Sequence, residues 1–84
     1  SHRCMKLPRD IGGADLAKAL AGVGYRVTRQ TGSHMRLSRP GPPEHHVTLP
    51  AHSPLKVGTL AGILGEVAAH LGIARDELIE KLFH

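Results

Sequence analysis

The chain has few large aromatic side chains. Its 84 residues contain no tryptophan, one tyrosine (Tyr25) and one phenylalanine (Phe83). Proteins that bind single-stranded nucleic acids commonly stack the bases on several aromatic rings. That mode of binding is expected to be weak here, because Tyr25 is the one candidate platform and its position favours the core. The core must therefore be mainly aliphatic.

The chain also lacks the features of disulfide-bonded and membrane-spanning proteins. Cys4 is the only cysteine, which excludes an internal disulfide and fits a reducing, cytoplasmic setting. No apolar run approaches the roughly 18 residues of a membrane-spanning helix, and no signal-peptide pattern is present, so no membrane partner is expected. Met5 is expected to be the native start, which would make residues 1–4 a cloning remnant and residues 5–84 a single domain.

Positive charge is in excess. Lysine and arginine number 11 against 7 acidic residues, which gives a net charge of +4 with histidine neutral. Seven histidines would add charge on mild acidification. The expected partner is therefore anionic, either a nucleic acid or an acidic protein. A chain of this length buries only about 60% of its unfolded surface, so it is expected to be marginally stable alone.

Three segments have the apolar spacing of amphipathic helices. The first is predicted over residues 14–23 and ends at Gly24, a residue suited to the left-handed conformation of a helix terminus. The second has the strongest pattern, begins between residues 56 and 58, and ends at Gly72. The third is predicted over residues 75–83.

Between the first two helices the apolar period changes to two. Three runs, residues 25–28, 34–39 and 45–49, are predicted as strands, with loops at residues 30–32 and 40–44. They predict an antiparallel meander. The whole chain is then an α+β fold of order α-β-β-β-α-α, in which two helices cover the apolar face of a three-stranded sheet.

The predicted loop lengths also give a register. It places Val27 opposite Met35, Tyr25 opposite Leu37, Leu37 opposite Val47, and Met35 opposite Leu49. These apolar side chains share one face. The other face is polar and basic, has no acidic residue, and carries Arg26, Thr28, His34, Arg36, Ser38, His46 and Thr48. The charge of Arg26 on this face makes it a candidate to bind nucleic acid.

The segment from Gly32 to Leu37 combines a turn residue with two chemically useful side chains. His34 and Arg36 alternate with Met35 and Leu37, so the polar pair points away from the core. Histidine can move a proton near neutral pH, and arginine can hold a phosphate with a bidentate fork. We expect His34 to act as a general acid or base and Arg36 as a phosphate ligand. The alternative is that both are ordinary exposed strand residues.

Four other residues are candidates for contact with nucleic acid. Lys56 precedes the second helix, where its ammonium group and backbone N–H groups could grip a phosphate. His46 could be a second acid or base, and Thr28, placed across from His34 by the predicted register, could orient His34 or the substrate together with Thr48. Otherwise these are solvated or strand-forming residues.

Histidines 45, 46 and 52 have the composition of a metal site but not its spacing. His45 and His46 are adjacent on a strand and point to opposite faces, whereas structural zinc favours cysteines or a regular histidine pair on a helix. No metal and no cofactor is therefore expected. Ser33 has no acid or second base spaced to form a triad, so it is expected to shape the turn.

Several motifs in this order resemble the HicA toxins, which are the mRNA interferases of HicAB toxin–antitoxin systems. The similar segments are Met5 to Ile11, Gly24-Tyr25, Gln30 to His34, Val47 to Pro50, Gly58-Thr59-Leu60 and Ile63-Leu64. The combination of the Gly-Ser-His hairpin with the Gly-Thr-Leu helix start, in so small a domain, is fairly specific. The resemblance extends over nearly the whole chain from Met5.

The resemblance implies a double-stranded-RNA-binding-domain-like fold. It also implies metal-independent endoribonuclease activity on mRNA, with the histidine of the Gly-Ser-His motif, His34, as the catalytic residue. The implied partners are mRNA and an inhibitory HicB antitoxin. A non-catalytic RNA-binding or regulatory module of the same fold remains the alternative.

Overall fold

The computed structural model describes residues 10–83. The expected cloning remnant, residues 1–4, lies outside them. The elements in chain order are α1 (Gly13–Leu20), a 3₁₀ turn (Ala21–Val23), β1 (Arg26–Thr31), β2 (His34–Arg39), β3 (His45–Pro50), α2 (Val57–Leu71) and α3 (Arg75–Phe83). The strands form an antiparallel sheet of order β1-β2-β3. This is the predicted α+β fold, and its order is compatible with a double-stranded-RNA-binding-domain-like arrangement.

The helix ends follow the sequence signals. Gly24 and Gly72 adopt left-handed conformations, with φ of 100° and 72°, directly after the first and second helical segments. The N-cap of α1 is Gly12, and its backbone N–H donates to the Asp15 carboxylate at 3.3 Å. An acidic side chain at this point also favours the positive end of the helix dipole.

One aliphatic core joins the helices to the sheet. The apolar side chains predicted on the inner face of β2 and β3, from Met35 to Leu49, are buried as expected. The largest side chains with almost no exposure are Tyr25, Leu16, Leu20, Leu37, Leu49, Leu60, Leu64, Leu78 and Val67. All three helices therefore contribute to the same core as the inner face of the sheet.

The predicted register between β2 and β3 is confirmed. Leu37 pairs with Val47 and Met35 with Leu49, as the loop at residues 40–44 requires. For this pair of strands, the alternation of apolar and polar residues was sufficient to predict the register. Both strands have a buried face, and a slip of one residue would expose it.

The predicted register between β1 and β2 is wrong. Val27 pairs with Leu37 instead of Met35, and Tyr25 lies before the strand begins. The connecting loop has two residues, Gly32 and Ser33, instead of three, so the strands extend closer to the turn. Gly32 has a φ of 54°, which favours glycine at the first position of such a loop.

A β-bulge lies between Val27 and Arg29, where the register of β1 against β2 changes by one residue. Thr28 is the extra residue, so Arg29 is the next residue of β1 to pair, with Arg36. Val27 lies across from Leu37, yet it remains 47% exposed. The helices therefore leave this part of the edge strand uncovered.

Among the residues from 10 to 83, no single helix is both long and apolar enough to cross a bilayer. Helices α2 and α3 satisfy the criterion only when taken together, by length and composition, and they are bent by 103° at the break between them.

Candidate nucleic-acid interface

His34 is exposed at the start of β2, on the face of the sheet opposite the core. Its neighbour Met35 is buried, so the alternation predicted for this segment is present. Across the ladder His34 pairs with Thr31 of β1 and with Pro50 of β3. The imidazole is therefore accessible to a ligand that lies on the open face.

Arg36 lies between Arg29 and Thr48, its partners on β1 and β3. The sequence prediction placed Arg26 in the position that Arg29 occupies, because it assumed a three-residue loop where the structure has a two-residue one. Arg26 pairs with Ser38, nearer the other end of the face. Arg29 is thus a candidate RNA-binding residue that sequence reasoning missed. The dipeptide Gly32-Ser33, a known two-residue hairpin loop, was the signal that could have located it.

Thr28 is not across from His34, and that part of the prediction is wrong. The bulge places the Thr28 hydroxyl 3.0 Å from the Ser38 hydroxyl, and it donates to the Arg36 carbonyl oxygen at 3.3 Å. Thr28 therefore fixes the bulge to the middle of β2. Thr48 is exposed beside Arg36, as predicted for the open face.

His46 is attached to its neighbours instead of standing free on the open face. Its Nδ1 atom lies 2.6 Å from the hydroxyl oxygen of Ser38, a residue that is only 8% exposed. The His46 Nε2 atom lies 3.7 Å from Glu44 Oε1, so a carboxylate reaches the edge of a face predicted to have none. The Ser38 hydroxyl, held between Thr28 and His46, acts as a structural link.

His45 points to the helical side, opposite to His46, as the strand alternation predicted. Its Nδ1 atom lies 2.6 Å from the Tyr25 hydroxyl oxygen, and its ring stacks on His70 with centroids 4.3 Å apart and planes 11° from parallel. Burial raises the pKa of Tyr25, and it lowers the pKa of His70, with a further lowering by His45 and then Arg39. This cluster joins β3 to α2 and lies away from His34.

A cleft lies between the end of β3 and the start of α2. It has a volume of about 430 Å³ and is lined by Pro50, His52, Pro54, Leu55, Lys56 and Thr59. Pro50 is also the β3 partner of His34, so the cleft adjoins the histidine. The sequence identified Lys56 as a candidate but gave no indication of the cleft, which depends on contacts distant in the chain.

The histidines do not converge on a metal position. Within the part of the chain from residue 10 to residue 83, no three histidine, cysteine, aspartate or glutamate side chains lie close enough to hold an ion. His45 and His46 diverge to the two faces, and His52 lines the cleft.

The arrangement defines an α+β domain with an exposed basic sheet face and an adjoining cleft. A family model described as the HicA toxin of bacterial toxin–antitoxin systems matches residues 13–72. The chain therefore belongs to the HicA toxin family, whose members pair with an antitoxin. The match includes α1, the complete sheet with His34, and α2. No curated protein and no solved structure gives a significant match.

Proposed function

We propose that this protein is the toxin of a type II toxin–antitoxin system and a metal-independent endoribonuclease that cleaves mRNA. Cleavage would inhibit translation and growth in the cytoplasm. The observation that carries the proposal is the exposed imidazole of His34 on the same open face as the paired arginines Arg29 and Arg36. Membership of the HicA toxin family supports it.

The chemistry requires one proton to leave and one to arrive. The ribose 2′-oxygen loses its proton and forms a bond to phosphorus, while the bond from phosphorus to the 5′-oxygen breaks and that oxygen is protonated. His34 performs one of these transfers as general acid or base. Water or the substrate performs the other, which makes a slow enzyme. Arg36, with Arg29 beside it, stabilises the negative charge on the phosphorane.

The remaining predicted contacts surround this centre. Lys56 at the cleft would bind a neighbouring phosphate, and Arg26 would extend the positive surface along β1. Thr48, which is exposed beside Arg36, would contact the substrate directly. Thr28 and His46, which are hydrogen-bonded to Ser38, would contribute mainly by holding the face in shape.

The antitoxin of this system is proposed to be a HicB-type protein that covers the open face. The face is uncovered by the chain's own helices, and it carries positive charge that an acidic partner segment would match. Covering His34, Arg29 and Arg36 would exclude RNA from all three at once.

The test is RNA cleavage by purified protein in EDTA, with wild type beside His34→Ala. Wild type is expected to cleave mRNA, and the variant is expected to lose cleavage while keeping its thermal unfolding midpoint, because residue 34 is exposed. Lys81→Ala, an exposed change on α3, is the control. Growth arrest on induced expression should follow the same order. A folded His34→Ala protein that cleaves as well as wild type would overturn the catalytic assignment.

One observation favours the alternative of a non-catalytic RNA-binding module. Among the described residues, no side chain hydrogen-bonds to the ring of His34 and fixes its orientation. On this alternative, RNA stays intact after long incubation and binding falls steeply with salt. Replacement of Arg36 or Lys56 would then reduce binding more than replacement of His34.

A further inference from the structure

The cleft beside His34 is lined on several sides by apolar surface. Pro50, Pro54 and the buried Leu55 form this surface, and the Thr59 side chain is half-buried at the start of α2. Pro50 is the residue directly opposite His34, and such partners have Cβ atoms about 5 Å apart. A group seated in the cleft would therefore lie within one nucleotide of a phosphate held at His34.

The loop that forms the cleft is held at three points. The Ala51 N–H donates to the Ser33 carbonyl at 2.6 Å, and the Leu55 N–H donates to the Ile11 carbonyl at 2.7 Å. The His52 carbonyl accepts from the Gly13 N–H at 2.8 Å. These bonds tie the loop both to the Gly-Ser hairpin and to the start of α1. The cleft is therefore formed before any ligand binds, which reduces the ordering cost of binding.

The side chains at the rim differ from the apolar lining. His52, an exposed residue with an aromatic ring, lines the cleft, and Lys56 is an exposed cation in the same lining. Arg29 and Arg36 lie on the adjoining face. An apolar recess next to an aromatic ring and several cations matches a ligand that is flat, apolar on its faces and joined to anions. A nucleotide within an RNA strand has all three properties.

We infer that the cleft holds the nucleobase adjacent to the phosphate at His34. The base stacks on the imidazole of His52, and Lys56 binds the phosphate that follows. The volume of about 430 Å³ is near the lower end of the range for ligand pockets, about 300–1,000 Å³, and accommodates one base. This inference rests on the proposed function, in that RNA is the ligand of the open face.

Histidine can stack on a base, or it can transfer a proton. The experiment tests which of these two roles His52 has. His34→Ala protein is used as the background, and the RNA carries 2′-O-methyl groups, so that it is not cleaved whichever residue is catalytic. Binding of a fluorescein-labelled RNA of mixed sequence, about 12 nucleotides long, is measured by anisotropy. On this background, His52→Ala removes the ring, His52→Phe keeps a stacking ring without nitrogen, and Lys81→Ala is the matched control for Lys56→Ala.

Loss of one base stack is expected to weaken binding by about 5- to 150-fold for His52→Ala. His52→Phe should stay within about 3-fold of the background protein, because it preserves stacking. Lys56→Ala should weaken binding and lower its salt dependence, whereas Lys81→Ala should change neither. Equal affinity for His52→Ala and the background protein would overturn the inference. So would an equal loss for His52→Phe and His52→Ala, or no RNA binding at all.

Cleavage by proteins with His34 intact distinguishes this inference from the proposed function. If wild type cleaves and His52→Ala cleaves with the same kcat/KM at the same sites, the cleft assignment fails and the proposed function stands. If His34→Ala cleaves like wild type while His52→Ala still loses RNA affinity and His52→Phe keeps it, the catalytic assignment fails and the cleft assignment stands.

Discussion

Arg29 and Arg36 are direct partners across the β1–β2 ladder, and both side chains are exposed on the open face. Like charges in directly opposed positions destabilise a sheet. The pair therefore opposes folding and is useful only when an anion lies between or above the two guanidinium groups.

This pairing predicts opposite effects on stability and on binding. Arg29→Gln is expected to raise the free energy of unfolding by about 0.2–1 kcal/mol, because it removes the repulsion. The same variant should bind RNA more weakly, and its salt slope should fall by about 0.7, the value for one phosphate contact on a single strand. Urea denaturation and salt-dependent anisotropy measure the two effects. A variant that is both less stable and equally strong in binding would contradict the prediction.

Because Gly13 lies close to Pro50, adding one methyl group at residue 13 is predicted to reduce the stability of the protein strongly. A Cβ at residue 13 would lie 2.1 Å from the Pro50 carbonyl oxygen, so the start of α1 and the end of β3 would have to separate. Gly13→Ala is expected to destabilise the protein by about 1–3 kcal/mol, as overpacking does. Thermal and urea denaturation measure this loss.

Gly62→Ala is the matched control for that prediction. Residue 62 lies within α2, and a Cβ there would meet nothing within 4 Å. Alanine has the higher helix propensity, so this variant should gain up to about 1 kcal/mol. The same substitution in the same protein is thus expected to act in opposite directions, and two changes of the same sign would contradict the argument.

The His45–His70 stack predicts a loss of stability on acidification. The pKa of His70 is lowered from its ordinary value of 6.5, chiefly by burial. Below about pH 6.5, His70 therefore binds a proton in the unfolded chain while it stays neutral in the folded chain. The free energy of unfolding decreases as the pH falls toward the pKa of His70 in the folded chain. Above about pH 6.5 this contribution is constant.

His70→Phe tests the pH dependence directly. Phenylalanine keeps an aromatic ring against His45 but cannot take a proton. Between about pH 7.5 and pH 5, the unfolding midpoint of this variant should decline less than that of wild type. Lys18→Ala, an exposed change on α1, controls for the altered net charge. Parallel declines for wild type and His70→Phe would refute the assignment.

The hydrogen bond between Tyr25 and His45 predicts a moderate loss for Tyr25→Phe. The tyrosine ring is buried and its hydroxyl oxygen lies 2.6 Å from His45 Nδ1, so phenylalanine preserves the packing and removes only the hydroxyl. The expected cost is about 0.5–1.5 kcal/mol, measured by urea denaturation. A loss above about 3 kcal/mol would indicate a change in packing instead.

The sequence predicted the helices and the β2–β3 hairpin because burial there has a regular period. The apolar stripe from Leu60 to Leu71 is compatible with only one buried face of a helix, and the alternation of Met35 and Leu37 with only one buried face of a strand. The β1–β2 register failed for a physical reason. The partner of Val27 moves by two positions, from the predicted Met35 to Leu37, and a shift of two residues leaves Val27 on the same face. Since no residue of β1 from Arg26 to Thr31 is buried, no apolar pattern penalises that shift.

The site was predicted in part for the same reasons. The exposure of His34 and Arg36 follows from alternation along one strand. That alternation can be read directly from a few neighbouring residues of the sequence. The cleft depends on residues about 40 positions apart, where Gly12 and Gly13 allow the chain to approach Pro50 and Ser53. Only the folded chain reveals what these two glycines contact.

The extra residue in β1, Thr28, increases the number of polar side chains that a short stretch of the strand directs to the open face. In a strictly alternating strand, every second side chain is directed to the helices, so two neighbours cannot serve the same surface. At the irregularity, Thr28 and Arg29 both face the solvent-exposed side, and Arg26 lies two positions before Thr28. A six-residue strand thus supplies two cations and a hydroxyl within four consecutive positions. Deleting that single threonine would leave a regular ladder in which Arg26 and Arg29 keep their partners Ser38 and Arg36, and only the hydroxyl between the two cations would be lost.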